Sequence, residues 1–460
     1  MTLRIDYSNM MISPGGIDPA AWSGVAGGKQ FADAKRGFDA LRAGGTVGFV
    51  DVPSDTTLLA QVETFSRAAR GKYDDVVILG IGGSALGPIA LRTALRPSGW
   101  NMLDDKARDG YPRLHVLDNV DPETIDALMG RLRLERTLFI VTSKSGGTAE
   151  TMAQFLIVHD RIARQKLDVA KQMVFVTDPK QGALRPLAER LKVPALDIPA
   201  NVGGRFSVLT PVGTLPAALI GIDVKSLLAG AAEMAKRCES PDLTKNPAGV
   251  YAMLQWLSDT RLAKKIVVFM PYSDPLRDFA AWFVQLWAES LGKQRPDGTH
   301  VGSTPLAALG ATDQHAQVQL FMEGPADKTV TFVAVDERAT DVKIPAAFPD
   351  VTELGYLAGH SLEELIDIEQ RATAGALAKR GRPNMTIHLG RVDAPHVGQL
   401  MMLLEIATAY AGQLYGIDAF NQPGVELGKQ FAYALLGRPG SDKAKKEWES
   451  LPRSDARWTV

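Results

Sequence analysis

Cysteine is nearly absent from this sequence. Cys238 is its one representative in 460 residues, which excludes an internal disulfide and any cysteine-rich metal site. The neighbours of Cys238 do not suggest a nucleophile and read as an ordinary helix. An excess of charge of either sign is also missing: 51 lysines and arginines nearly cancel 52 aspartates and glutamates, leaving no field that would draw nucleic acid or an anionic membrane. No apolar run approaches the ~20 residues that a membrane span needs. The first residues, MTLRIDYSNMM, lack the apolar stretch of a secretory signal, so a cytoplasmic protein is expected. None of the seven histidines forms a His-x-x-x-His or His-Glu pair, and no metal site is expected.

What is present is enough apolar residue, 45% of the chain, to bury large cores over two or three domains. The stretch Arg136 to Phe155, RTLFIVTSKSGGTAETMAQF, changes character twice. Thr137 to Val141 is a short β-branched run, the pattern of a strand buried on both faces. Thr142 to Thr148 offers hydroxyls, the cation Lys144 and the amides of Gly146 and Gly147; helix is expected from Glu150. A strand, a hydroxyl-and-glycine turn and a helix N-terminus together make an anion site, because unpaired amides and the positive end of the helix dipole point the same way. An ordinary helix start capped by Thr148 is the alternative. The spacing is not that of a nucleotide P-loop, and a compact sugar phosphate suits it better.

Strand-helix alternation surrounds this stretch. Strands are expected near 75–80, 113–118, 136–142, 172–177 and 193–198, with helices near 85–95, 121–133, 149–165 and 182–191: a parallel sheet covered by helices, with ligands at the carboxyl ends of its strands. Gly80 to Pro88, GIGGSALGP, matches the loose form of the dinucleotide fingerprint but lacks the acid expected at the next strand tip. Close backbone approach of Gly82, Gly83 and Ser84 to a ligand shared with the Ser143 turn is the better use. A second block follows: strands 265–270, 329–335 and 384–389, helices 275–290, 313–323, 361–380 and 395–415, and a Gly/Pro-rich loop after the first helix. Before both blocks, residues 1–48 read as a helical lead-in, with Asp18 capping Pro19 to Trp22 and a second piece over Gly28 to Leu41. The charged tail after Gly437 reads as surface.

Four further residues could carry chemistry. Arg205, in NVGGRFS, is either a surface arginine or a guanidinium that flanking glycines let face a cleft. Glu289 ends the apolar helix AWFVQLWAESLGK beside Trp287, with Gly292 as its cap. It is either a general base or a solvated glutamate paired with Lys293. Gln285 lies four residues earlier on the same face. His315, in ATDQHAQVQL, sits one turn into a helix capped by Thr312 or Asp313 and is either structural or an acid-base group. Lys429, in QPGVELGKQ, reads locally as an exposed helix lysine.

Taken in order, GIGGSALGP, SKSGGTAET, GGRFS, the Glu-Ser-x-Gly-Lys segment, TDQHA and GVELGK resemble the glucose-6-phosphate isomerase (phosphoglucose isomerase) family, across residues 80 to 429. The resemblance implies two tandem α/β sugar-isomerase (SIS) domains, here 49–222 and 223–415, each a parallel sheet flanked by helices, with a C-terminal helical arm and tail over 416–460. It also implies a cytoplasmic homodimer without cofactor, interconverting glucose 6-phosphate and fructose 6-phosphate through a cis-enediolate. Ser143, Lys144, Ser145 and Thr148, with Gly146 and Gly147, match the phosphate turn; Gly83 and Ser84 lie at the sugar, and Gln285 matches a substrate-contacting glutamine. Glu289 matches the base moving a proton between carbons 1 and 2, and Arg205 the cation beside the enediolate. His315, from the partner subunit, and Lys429 match the pair that opens the ring and handles hydroxyl protons. Gly147 stands where many relatives carry threonine, and TDQHA lacks a glycine that many carry. A non-catalytic sugar-phosphate binder on the same domains would need the Ser143 turn but not Glu289, Arg205, His315 and Lys429; a dehydrogenase would need a nicotinamide site.

Overall fold

The computed structural model describes residues 2–26, 28–452 and 454–460. It is an α/β protein containing two five-stranded sheets. In chain order the strands are β1 (Arg4–Asp6), β2 (Asp75–Leu79), β3 (Arg113–Leu117), β4 (Thr137–Thr142), β5 (Met173–Thr177), β6 (Ala195–Asp197), β7 (Ile266–Pro271), β8 (Lys293–Gln294), β9 (His300–Val301), β10 (Thr304–Ala307), β11 (Lys328–Val335) and β12 (Asn384–Leu389).

The first sheet is wholly parallel, ordered β3-β2-β4-β5-β6. Its central strands are continuous apolar runs because helices cover both faces. β2, β4 and β5 are buried at every residue. Even Asp75, the first residue of β2, is enclosed: Arg113 holds it with two bonds of 2.7 Å, and His115 adds a third at 2.8 Å. Burial pushes this carboxyl up, but those partners pull it further down, to about 2.

The second sheet runs β1-β12-β11-β7-β10. All its pairings are parallel except β1 on β12. Here the expectation of a helical lead-in needs correction: helices Pro19–Ala26 and Lys29–Ala43 are present, with Asp18 accepting from the Ala21 amide, but Arg4–Asp6 forms an edge strand. Three residues are too short for a sequence pattern, and only β12 supplies the edge they complete. β10, β8 and β9 likewise lie in the stretch expected to be loop. Pro305 is tolerated because β10 is an edge strand.

The helices Pro247–Leu262 and Ala394–Tyr415 are almost entirely buried, which is why neither shows an amphipathic stripe. They form a shared core in which residues of the first sheet (Val76, Ile78, Ile140) and of the second (Val267, Phe269, Val333) belong to one continuous apolar cluster. That core fixes one sheet against the other, so loops from both converge. The arm beyond residue 416 differs. Helices Glu426–Leu435 and Asp442–Ser450 are exposed over nearly their whole length. Among the described residues no helix is long and apolar enough to cross a membrane.

Candidate functional site

The turn after β4 is built as an oxygen-rich cup. The Ser143 amide still donates to Val176 of β5 (3.1 Å), and its carbonyl accepts from Thr177 Oγ1 (2.8 Å), so the turn starts from a fixed strand end. Thr148 occupies the position before helix Ala149–Arg164 but makes no side-chain cap bond. Its hydroxyl instead faces Ser143 Oγ (3.0 Å) and Ser145 Oγ (3.4 Å). Those serines accept from the Gly146 and Gly147 amides, at 3.1 and 3.3 Å. Three hydroxyls and two amides therefore converge at a helix N-terminus. Gly146 is required: its φ is +60°, and an added Cβ would lie 2.7 Å from the Ala183 nitrogen. Gly147 is not, because its Cβ would meet only the Ser145 carbonyl, at 3.9 Å.

Lys144 does not join this cup. Its ammonium donates to the carbonyls of Ala200 (2.7 Å) and Val202 (2.8 Å), tethering the NVGGRFS loop to the turn, and burial lowers its pKa. The direction of the Lys144 side chain here follows the tertiary path of residues 200–202.

That loop carries Arg205, which is buried rather than on the surface. Its Nε donates to Ser290 Oγ (2.6 Å), and its terminal nitrogens to Gln422 Oε1 (3.2 Å) and the carbonyls of Ala419 and Asn421. Phe206 lies beneath it, 5.6 Å from guanidinium carbon to ring centre, stacked on Phe49 and against Phe420. Burial pulls the Arg205 pKa below the usual arginine value, and Glu289 and Asp418 act the other way.

Glu289 lies in the last turn of helix Arg277–Leu291. Its Oε1 is 3.4 Å from Arg205, and its Oε2 accepts from Gln285 Nε2 at 3.1 Å. The alternative pairing with Lys293 is absent. The Lys293 ammonium caps the helix end instead, donating to the backbone carbonyls of Glu289 (2.7 Å) and Ser290 (2.9 Å). Burial first and then Arg205 lower the Lys293 pKa to about 8. Gln285 leaves its Oε1 buried without a partner, a free acceptor beside the carboxylate.

The GIGGS loop closes the same space. A Cβ on Gly82 would lie 2.9 Å from Gln285 Nε2, and one on Gly83 only 2.3 Å from the Gly204 carbonyl. These glycines permit contact between the tip of β2, the Arg205 loop and the Glu289 helix. Ser84 follows on the same short turn, half-buried.

Two expected members stand apart. His315 ends a short 3-10 turn, Thr312–His315, rather than sitting inside an α-helix, which begins only at Val318. Neither Thr312 nor Asp313 caps that turn: Ala311 holds the cap position without a side-chain bond, and Asp313 accepts instead from the preceding Leu309 amide at 2.6 Å. Gln314 anchors the turn to the Tyr272 hydroxyl. The His315 ring is exposed and makes no bond or ring contact among the described residues. Lys429, also exposed, pairs with Glu426 at 2.9 Å. Ser290 and Gln422, which hold Arg205, escaped the sequence reading. Both lie inside quoted motifs, but nothing in spacing alone tells that a guanidinium will reach them. Among the described residues, no group of three or more His, Cys, Asp or Glu side chains is arranged to hold a metal ion.

Against this geometry, the family model described as phosphoglucose isomerase matches residues 59–454. A glucose-6-phosphate isomerase of Carboxydothermus hydrogenoformans is 44% identical over 454 residues, 97% of each chain. That of Rubrobacter xylanophilus is 47% identical over 396 residues, 85% of this chain and 90% of the other. Among solved structures, a hypothetical protein from Thermus thermophilus superposes with a TM-score of 0.85 at 39% identity, covering 95% of this chain and all of that one. A glucose-6-phosphate isomerase from Chlamydia trachomatis shares the fold at a TM-score of 0.79 and 22% identity, covering 96% and 91%.

Proposed function

Since the chain belongs to the phosphoglucose isomerase family, we propose that the Arg205–Glu289–Gln285 cluster and the Ser143–Thr148 cup are the two halves of its active site. The protein is an aldose-ketose isomerase that interconverts glucose 6-phosphate and fructose 6-phosphate. A sugar C–H is a poor acid, so the reaction needs a base and, beside it, a fixed positive charge for the enediolate. Glu289 takes the proton from carbon 2 of the open-chain aldose. The C–H electrons form the C1=C2 bond while the carbonyl oxygen gains a proton, and the carboxyl then returns its proton to carbon 1 as the carbon-2 hydroxyl gives up its own. Arg205 faces the oxygens on which charge gathers. It stays protonated throughout, so it does not compete as an acid. The unpartnered Gln285 Oε1 accepts from a sugar hydroxyl.

The phosphate sits in the cup, held by Ser143, Ser145, Thr148 and the amides of Gly146 and Gly147, with Gly83 and Ser84 against the sugar. His315 and Lys429 open the ring and handle hydroxyl protons. Because His315 is exposed and unpaired, we assign it to the site of a partner subunit in a homodimer. The exposed apolar residues of the arm, Leu427, Leu435, Leu436 and Trp448 among them, support contact with that second copy. The same reading makes residues 49–222 and 223–415 the two SIS domains, and the cytoplasm the compartment.

The observation that carries the assignment is the contact between Glu289 and a guanidinium held by four other groups. A non-catalytic sugar-phosphate binder has no use for it. The test is a coupled assay of purified protein with fructose 6-phosphate in deuterated solvent. Turnover with deuterium entering carbon 2 of the product is expected; tight binding without turnover would overturn the reading.

A further inference from the structure

Helix Leu86–Leu95 starts two residues after Ser84, and helix Arg277–Leu291 carries Glu289 in its last turn. The two pack together, and their far ends, about 15 Å from the reacting groups by helix rise, border a separate cavity of ≈ 340 Å³. Its walls include Arg92, Arg96, Trp100, Asn101, Asp274 and Arg277. Arg92 donates one bond, to the Leu114 carbonyl at 3.0 Å, and keeps its other donors. Arg277 pairs with Asp274 at 3.0 Å on the rim, where both are exposed.

Arg96 is the unusual member. Its guanidinium lies over the Trp100 ring (5.2 Å) and the Tyr111 ring (5.9 Å). Among the described residues it has no hydrogen-bond acceptor and no carboxylate, and its Nε is fully buried without a partner. Burial lowers the pKa of both Arg92 and Arg96; the Asp278 carboxylate offsets part of this for Arg92, whereas no carboxylate does so for Arg96. A guanidinium presents five donors in a planar fork suited to phosphate, and leaving them empty is costly. Of the acids nearby, Asp274 pairs with Arg277, and Asp278 accepts from the Thr93 hydroxyl while its charge still acts on Arg92, so three guanidiniums face two carboxylates.

The geometry points to a second anion site, in which a small phosphorylated metabolite binds between Arg92, Arg96 and Arg277 and adjusts isomerase activity. Its volume falls at the lower end of small-ligand pockets, enough for a sugar phosphate but not for a nucleotide chain. The coupling route is physical: the Thr93–Asp278 bond joins the two helices beside the cavity, and the opposite ends of those helices carry Ser84 and the Gln285–Glu289 pair. An anion bridging Arg96 and Arg277 changes how these helices sit against one another. The regulatory part rests on the active-site reading above; the binding part does not.

Inorganic orthophosphate is the probe, titrated calorimetrically into the full-length protein. Two phosphates per chain are expected in the parent. One should remain in Arg96→Ala, and the other in the Ser145→Ala/Thr148→Ala double variant. Arg277→Ala, which alters only an exposed side chain, should weaken the same site as Arg96→Ala by about tenfold, keeping the test valid if Arg96→Ala fails to fold. In kinetics, phosphate in the cup competes with substrate and raises KM alone, whereas phosphate at Arg96 changes kcat, and in Arg277→Ala that change needs about tenfold more phosphate. A parent that binds one phosphate, lost in the cup double variant, would overturn the proposal. So would two phosphates retained at full affinity in both arginine variants. Two phosphates retained in the cup double variant would instead refute the cup, leaving this pocket standing.

Discussion

The two groups of catalytic candidates are built in opposite ways. Arg205 and Glu289 are locked: the guanidinium is buried, bound to Ser290, Gln422 and two carbonyls, and the carboxylate is held between it and Gln285. His315 and Lys429 are exposed; the histidine has no partner among the described residues, and the lysine has only Glu426. The difference suits the roles proposed for each. A charge that stabilises an enediolate works best when it needs no reorganisation, because donors fixed in advance cost nothing at the moment of reaction. Groups that shuttle protons to a ring oxygen need access, and a second subunit can supply what remains of their surroundings.

The sharpest way to break the comparison is to neutralise the locked half. Glu289→Gln keeps the shape and the bond to Gln285 but removes the base. We expect kcat to fall by ~10²–10⁴, with a competitive inhibitor still bound at near-parent affinity in calorimetry. Exchange of the carbon-2 hydrogen with solvent at the parent rate would rule Glu289 out. Arg205→Lys should lose ~10²–10³ in kcat, since one ammonium cannot serve the Ser290, Gln422 and carbonyl partners together with the substrate.

The open half is tested by mixing. Glu289→Ala and His315→Ala homodimers are each expected to be nearly inactive. Refolded together in equal amounts, about half the dimers would be mixed, and each would hold one intact site if His315 acts across the interface. Activity should return to about one quarter of the parent by that count. No recovery after confirmed subunit exchange would place His315 in its own chain's site.

The cup contributes less per residue. Ser145→Ala and Thr148→Ala should each weaken substrate by roughly 1.5–3 kcal/mol, seen as a raised KM, with unphosphorylated sugar analogues unaffected. The adjoining glycines should divide: Gly146→Ala is strained by its positive φ and by the Ala183 nitrogen, whereas Gly147→Thr has room. Phosphate affinity that fell equally in both would show that the turn is not the rigid cradle described.

The smallest effect concerns Lys293. Its folded pKa, about 8, lies below the ordinary lysine value of 10.5, so between those values the unfolded chain binds more protons and stability rises with pH. Below pH 8 both states are protonated and the cost of burying the charge is fully present. Urea midpoints measured from pH 7.5 to 10 should therefore climb more steeply in the parent than in Lys293→Met. Parallel slopes would mean that the ammonium is not strained beside Arg205.

How much of this is legible in the sequence depends on the range over which each cause acts. Both blocks of strands and helices were legible because burial on two faces leaves an unbroken apolar run in the chain itself, as in β2, β4 and β5. The cup was legible because five of its groups lie within six consecutive residues, where local geometry alone decides that they converge. The glycines of GIGGS were legible as points of close approach, though not what approaches. What the sequence left open turns on partners far away in the chain. Arg205 could be a surface residue or a buried one until the tertiary fold brought Ser290 and residues 419–422 around it. That the Lys144 ammonium would reach the carbonyls of residues 200 and 202 could not be read from its motif, and Glu289 looked equally able to pair with Lys293. β1 could not be foreseen at all, since three residues become a strand only where β12 exposes an edge. Local chemistry, written in short motifs, determined which groups are available; long-range packing alone determined which of them carry their charge into a dry site and which remain in water.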